Sequence, residues 1–335
     1  MLRLGVLGVS TFATRRMIPA LQQARDLTVA AIASRARERA DRAASELGIA
    51  KAYGSYEALL ADREIDAVYI PLPNHLHLPY AIQAAEAGKH VLCEKPIALN
   101  AAQAQQLVAV RDRAGVLIQE AAMVRVHPRW IATRAELSKG ATSKIGELKA
   151  IVSSFGYTLR FRDNIRYQAA MGGGTLLDVG FYPVTISRFC YDAEPTRVMA
   201  TLVLDPESGV DIQVSAMLDF PGGQSVFSCG MQLSPTQHVA LMGSKGRINV
   251  DMPWSPFADR PTRLQIDRSE QLEEPVIETV TFSACNQYTL LAEQFAQAIK
   301  RGGPAPLTLE DSVKNMSVLD ALARSASSGH WETPL

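Results

Sequence analysis

From Leu2 to about Gln119, short apolar runs alternate with longer stretches whose apolar positions recur at helical spacing. That alternation predicts strands joined by crossover helices in a parallel sheet. The strand-like runs are Leu2 to Leu7, Thr28 to Ala33, Ala67 to Ile70, His90 to Cys93 and Val116 to Ile118. Amphipathic segments at Arg16 to Arg25, Arg37 to Leu47, Leu78 to Ala87 and Ala101 to Ala114 lie between them. Five strands connected in this way predict a doubly wound sheet.

Beyond Met123 the pattern changes. A helix is predicted from Pro128 to Ser138, followed by strand-like runs at Leu148 to Leu159, Thr196 to Val203, Ile212 to Asp219, Ser225 to Met231, His238 to Met242 and Arg247 to Val250. Pro221-Gly222-Gly223 and Gly243-Ser244-Lys245-Gly246 read as hairpin turns, so this part is expected to be rich in antiparallel pairs. Helical spacing returns at Tyr288 to Lys300 and Glu310 to Ser325, separated by Gly302-Gly303-Pro304. The expected organisation is a dinucleotide-binding Rossmann domain over 1–122 and an α/β domain with a large open, mainly antiparallel sheet over 123–335.

Composition narrows the function. With 335 residues, 47% of them hydrophobic, the chain is long enough for two packed cores. Its 34 basic and 34 acidic residues cancel and form no long blocks of one sign, so neither a nucleic acid nor a membrane surface is an expected partner. Cys93, Cys190, Cys229 and Cys285 follow no metal-ligand spacing, and reduced thiols in the cytoplasm are expected. The start, MLRLGVLG, lacks a signal-peptide pattern. A small molecule is the expected ligand.

The first strand runs into Gly8-Val9-Ser10-Thr11-Phe12-Ala13 and then a helix, a weakened dinucleotide fingerprint. Gly8 permits a tight turn, Ser10 is small enough for the backbone to approach a pyrophosphate, and Ala13 allows close helix packing. Thr11 and Phe12 complete the expected loop contact. After the second strand, where an NAD site carries an acidic residue for the ribose, the chain has Ala33-Ser34-Arg35. A hydroxyl and a guanidinium suit a 2′-phosphate, so NADP(H) is favoured over NAD(H). Pro71-Leu72-Pro73-Asn74-His75-Leu76-His77 then breaks the third strand at the edge where such folds bind ligands. Pro71, Leu72, Pro73, Asn74 and His77 are therefore candidate cofactor contacts. His75 and His77 have no acidic or thiolate partner in a metal-binding spacing, and no metal is expected.

In HVLCEKPIA, residues 90–98, a buried strand ends in an anion, a cation and a proline. Pro96 disfavours helix at Lys95 and permits a cis Lys95-Pro96 bond. Together with AVYIPLPNHLH at 67–77, QEAAMVRVHP at 119–128 and GGGTLLDVGFYP at 172–183, the segment AGKHVLCEKP at 87–96 resembles the glucose-fructose oxidoreductase, inositol dehydrogenase and MocA (Gfo/Idh/MocA) superfamily. The resemblance spans essentially the whole chain. It is nearest the branch of NADP-dependent sugar 3-ketoreductases, with dihydrodiol and xylose dehydrogenases as neighbours. Asn164-Ile165-Arg166-Tyr167-Gln168 points toward the ketoreductases.

That resemblance implies an active site between the two domains, with Lys95 beside nicotinamide and substrate and Asp178 and Tyr182 opposite. It also implies a homodimer or homotetramer formed through the second domain's sheet. The residues suit such chemistry: Asp178 and Tyr182 are four apart, so a helix over Thr175 to Tyr182 puts them on one face. Ketone reduction needs a proton for the developing alkoxide. Tyr182 is the expected donor, with Lys95 lowering the phenol's pKa and polarising the carbonyl. Asp178 would orient substrate hydroxyls or Lys95, Glu94 would hold the cofactor or position that lysine, and Arg125, Asn164 and Arg166 are candidate substrate contacts. The expected function is NADP(H)-dependent reduction of a keto sugar. Oxidation of an aldose of the xylose type or of a trans-dihydrodiol is the alternative within the same chemistry, and a non-catalytic NADP-binding regulator is the alternative outside it.

Overall fold

The computed structural model describes residues 1–271 and 274–334. Leu335, the end of the expected second domain, lies outside the described residues. The chain forms two compact units, Met1–Met123 with Asn286–Val313, and Val124–Cys285 with Lys314–Leu335.

In the first unit, strands β1 (Leu2–Leu7), β2 (Leu27–Ala33), β3 (Lys51–Tyr53), β4 (Ala67–Ile70), β5 (His90–Cys93) and β6 (Ile118–Glu120) form a six-stranded sheet in the order β3-β2-β1-β4-β5-β6. Every pairing is parallel. Central strand β4 is buried along its whole length, as its unbroken apolar run requires when helices cover both faces. The helices are α1 (Ile18–Gln22), α2 (Arg37–Leu47), α3 (Tyr56–Leu60), α4 (His77–Glu86) and α5 (Ala101–Ala114). Asn100 opens α5 by accepting the Gln103 N–H, and Gly115, in the left-handed region, ends it.

Two sequence expectations need correction here. The sheet has a sixth strand, β3, a three-residue edge strand with too little apolar periodicity to be read. Its place is secured by polar bonds, Lys51 Nζ and the Tyr53 hydroxyl both donating to Asp62 Oδ2, at 2.8 and 2.6 Å. The segment 286–313, expected within the second domain, packs with the first. Thr289 Oγ1 donates to the Ala20 carbonyl at 3.0 Å, Arg25 pairs with Glu293 at 2.9 Å, and Phe12 meets Tyr288 edge to face.

The second unit is built on an eight-stranded sheet, ordered β14-β13-β12-β11-β7-β10-β9-β8. After helix α6 (Pro128–Leu137) come β7 (Leu148–Thr158), α7 (Phe181–Tyr191), β8 (Arg197–Leu204), β9 (Asp211–Phe220), β10 (Gly223–Gly230), β11 (Gln232–Gly243), β12 (Arg247–Asp251), β13 (Thr262–Asp267) and β14 (Ile277–Phe282). Only β7 and β10 pair in parallel; the remaining neighbours are antiparallel. Strand β9 buries alternate residues Val214, Ala216, Leu218 and Phe220, the period expected of a sheet with one covered face. Strands β13 and β14 are additions to the sequence reading. Helices α8 (Gln287–Arg301) and α9 (Leu309–Ser328) follow. Among the described residues no helix is long and apolar enough to cross a membrane.

Candidate active site

At the end of β1, Gly8 has φ +121°, and a side-chain carbon there would lie 2.9 Å from Leu72 Cδ2. Only glycine satisfies both the backbone and the close approach of the 71–73 loop. Ser10 Oγ accepts the Ala13 N–H at 3.1 Å, so the serine that stands where a second glycine is usual caps the first turn. Thr11 and Phe12 are exposed on that turn, and Ala13 is fully buried. Ser34 is buried, its Oγ accepting the Ala36 N–H at 3.3 Å, while Arg35 is exposed and its charge bears on Tyr56. Burial, the larger effect, raises the Tyr56 pKa and Arg35 opposes it. Arg39 donates to the Val9 carbonyl at 3.1 Å and so braces the glycine loop.

In the loop after β4, Asn74 and His77 differ in exposure. Asn74 is half-buried at the start of a short 3-10 turn, but His77 is fully buried, its Nδ1 2.7 Å from the Pro96 carbonyl and its Nε2 2.8 Å from the Leu72 carbonyl. Burial lowers its pKa. The neutral ring has one N–H and donates to one of these two carbonyls, and His77 packs between the 71–73 loop and the Lys95-Pro96 segment.

At the end of β5, Glu94 Oε1 accepts the Tyr69 hydroxyl at 2.7 Å. The Lys95-Pro96 bond is cis. Lys95 is half-buried and its charge is felt by a carboxyl that the sequence left without a role, Glu120. Glu120 is 1% exposed and accepts the Ile97 N–H at 2.7 Å. Burial raises its pKa to about 7, with Asp311 adding to the rise and Lys95 opposing it.

In the second unit, Thr175 to Tyr182 is helical, as expected, but as a π-helical turn, Leu176–Gly180, that runs into α7. The wider turn accommodates Pro183, which has no N–H to donate. Asp178 accepts hydrogen bonds from the Tyr157 hydroxyl at 2.6 Å and Arg166 Nε at 2.6 Å on Oδ2, and from Arg166 Nη2 at 3.0 Å on Oδ1. Asn164 Oδ1 accepts the Arg166 N–H at 3.0 Å, which shapes the turn delivering that guanidinium. Asp178 drives the Arg166 pKa upward, and burial followed by the Asp178 charge raises that of Tyr157. Tyr182 is buried against Phe155, Trp254 and Phe181, with ring centroids 5.5, 6.0 and 5.6 Å away, and its charged form would interact with Arg166.

Asn164, Arg166, Asp178 and Tyr182 thus belong to one cluster, and the Asp178 carboxylate is held within it. Arg125 packs on α7, its guanidinium 4.4 Å over Phe189 and 3.4 Å from Thr185 Oγ1. Tyr157, missing from the sequence-derived set, was signalled by the alternation of Phe155 and Tyr157 along β7. Trp254 had no such signal, because it lies in a loop without regular spacing.

Two family models match the chain: the oxidoreductase family with an NAD-binding Rossmann fold over residues 2–122, and the GFO/IDH/MocA C-terminal domain over 140–249. A dTDP-3,4-didehydro-2,6-dideoxy-alpha-D-glucose 3-reductase of Streptomyces violaceoruber is 38% identical, the match covering 90% of this chain and 86% of that one. A D-xylose 1-dehydrogenase (NADP(+)) of Haloferax volcanii is 36% identical over 97% of both chains. Among solved structures, a 3-ketoreductase from Actinomadura kijaniata in complex with NADP and TDP-benzene superposes with a TM-score of 0.89 at 33% identity, covering 97% of each chain. The chain belongs to the Gfo/Idh/MocA oxidoreductase family. It is an oxidoreductase with the two-part architecture of that family.

Proposed function

We propose that this oxidoreductase uses NADP(H) to reduce the ketone of a sugar or sugar-like substrate, in the manner of a 3-ketoreductase. The observation that carries the reading is the likeness to the Actinomadura 3-ketoreductase over 97% of both chains. Lys95, Asp178 and Tyr182 are all present to support it. The relative from Streptomyces, a reductase of a dTDP-linked keto sugar, argues for a nucleotide-linked substrate.

The first unit's residues fit the cofactor. Gly8 gives the loop the positive φ of its tight turn, and no carboxylate at the end of β2 would repel a 2′-phosphate, since Ser34 and Arg35 stand there. NADPH, when bound, supplies the hydride. Tyr182 gives its phenolic proton to the carbonyl oxygen, and the tyrosinate left behind is stabilised by the Arg166 charge that already bears on it. Lys95 polarises the carbonyl through its ammonium. Asp178 holds Arg166 in place through a paired hydrogen bond and is itself steadied by Tyr157.

A second reading, oxidation of a free aldose with NADP+, is favoured by the 36% identical xylose dehydrogenase. Both readings are tested by following NADPH absorbance with nucleotide-linked keto sugars, free keto sugars and free aldoses. Turnover of a keto sugar is the expected result. NADP+ reduction by free aldoses alone would replace the first reading with the second. We also propose that the eight-stranded sheet mediates self-association, consistent with exposed Val203, Leu204 and Ile277 on its two edge strands. Light scattering after size-exclusion chromatography is expected to give a multiple of the 36.4 kDa chain mass.

A further inference from the structure

The π-helical turn that carries Asp178 has no side-chain cap from its own leading residue, Thr175. A residue 35 positions away supplies one: Asp211 Oδ2, at the start of β9, accepts the Leu176 N–H at 2.6 Å, and the Thr175 N–H bonds to the same carboxylate. Gly174, at φ +111°, is the residue over which this carboxylate lies, and a side-chain carbon there would collide with Asp211 Oδ1. Two features of the sequence, a glycine before the helix and an acidic residue on a distant strand, therefore form one device. A negative charge at the leading end of a helix, bonded to its free N–H groups, fixes that end in place.

We propose that Asp211 is a positioning residue for the reaction: its ionised carboxylate anchors the segment bearing Asp178 and Tyr182, and loss of that charge loosens both. The proposal rests on the reductase reading for its catalytic consequence, and on the geometry alone for the anchor. Burial raises the Asp211 pKa to about 6, with Asp178 adding to the rise and the backbone N–H groups opposing it. Asp178 is the charged side chain facing it from the helical segment, and is itself balanced by Arg166 and Tyr157. As the pH falls through about 6, Asp211 takes up a proton and its bond to the Leu176 N–H loses charge assistance. The sign for stability is the reverse. A raised folded-state pKa means a contribution present below the unfolded value and lost as the pH rises through about 6, so the anchor costs stability under the conditions in which it works.

The test uses two measurements on the full chain. The first is hydrogen exchange at the Leu176 amide without cofactor or substrate, corrected for intrinsic pH dependence. Protection is expected to fall as the pH is lowered through the Asp211 titration, and to be low and flat in Asp211→Asn. The parent pH series stands by itself should that variant not fold. The second is the pH profile of kcat with NADPH and a keto sugar. Asp211→Asn is expected to lower kcat about tenfold to a hundredfold, the range for misplaced catalytic groups, to displace the acid limb, and to leave Tm undiminished. A purely structural aspartate would lower Tm and leave the limb where it was. Leu176 protection that ignores pH in the parent, or an unchanged kcat and acid limb in Asp211→Asn, overturns the proposal. A parent that reduces no keto sugar overturns the reductase reading instead, and the exchange measurement still decides the anchor.

Discussion

Arg166 holds Asp178 with two arms of its guanidinium, Nε to Oδ2 at 2.6 Å and Nη2 to Oδ1 at 3.0 Å, and the Tyr157 hydroxyl adds a third bond at 2.6 Å. Removing the guanidinium leaves a buried carboxylate with Tyr157 as its remaining donor in this trio. Arg166→Met is expected to lower stability by about 1–3 kcal/mol, a range kept modest by solvent screening because the Arg166 side chain is 38% exposed. Urea unfolding measures it. The double variant Arg166→Met/Asp178→Asn is expected to recover part of the loss, since the buried negative charge is then removed as well.

The parallel sheet was legible because β1, β2, β4 and β5 are short, mainly apolar runs bounded by turn residues. Strand β3, three residues long and fixed by bonds to Asp62, carries no such pattern. For the candidate site, the sequence carries the residue types but not the contacts that hold them. Lys95, Asp178 and Tyr182 stand in recognisable segments, whereas Asp211, Tyr157 and Trp254 come from distant strands and loops that folding of the sheet brings to the helix. His77 stands in a recognisable segment too, but nothing in the sequence signals that its ring is buried between backbone carbonyls of two separate loops.

Glu120 gives the first unit a pH-dependent stability. Its folded-state pKa, raised to about 7 by burial, lies above the unfolded value, so its contribution is whole below about pH 4 and lost as the pH rises through about 7. With the side chain 1% exposed, the loss amounts to about 2–4 kcal/mol between those limits. Glu120→Gln keeps an oxygen for the Ile97 N–H and removes the titration. Thermal unfolding from pH 4 to 8 is expected to show a weaker decline in Tm for the variant than for the parent.

Arg35 is exposed beside a buried Ser34, at the point where an acidic residue would select NAD. A charge-assisted bond to a 2′-phosphate contributes about 1.5–3 kcal/mol, so Arg35→Ala is expected to weaken NADPH binding roughly tenfold to a hundredfold. NADH, without that phosphate, should bind the variant and the parent alike. Fluorescence titration of both nucleotides checks the pair of outcomes, and an equal loss for the two would show that Arg35 does not read the phosphate.

Tyr182 is packed by the rings of Phe155, Phe181 and Trp254, so Tyr182→Phe retains the apolar contacts and deletes one hydroxyl. The fold is therefore expected to survive, with Tm close to that of the parent. A residue that supplies the proton contributes about 10²–10⁴ in rate, and kcat should fall within that range. Binding of NADPH should not change, because the cofactor contacts proposed here come from the first unit. The shape of the pH profile separates proton donation from simple packing. A donor's removal takes its limb out of the profile, whereas a packing defect lowers the whole curve without moving it. Tyr182→Phe with full kcat across the pH range would remove the tyrosine as donor and leave Lys95 as the acid to test next.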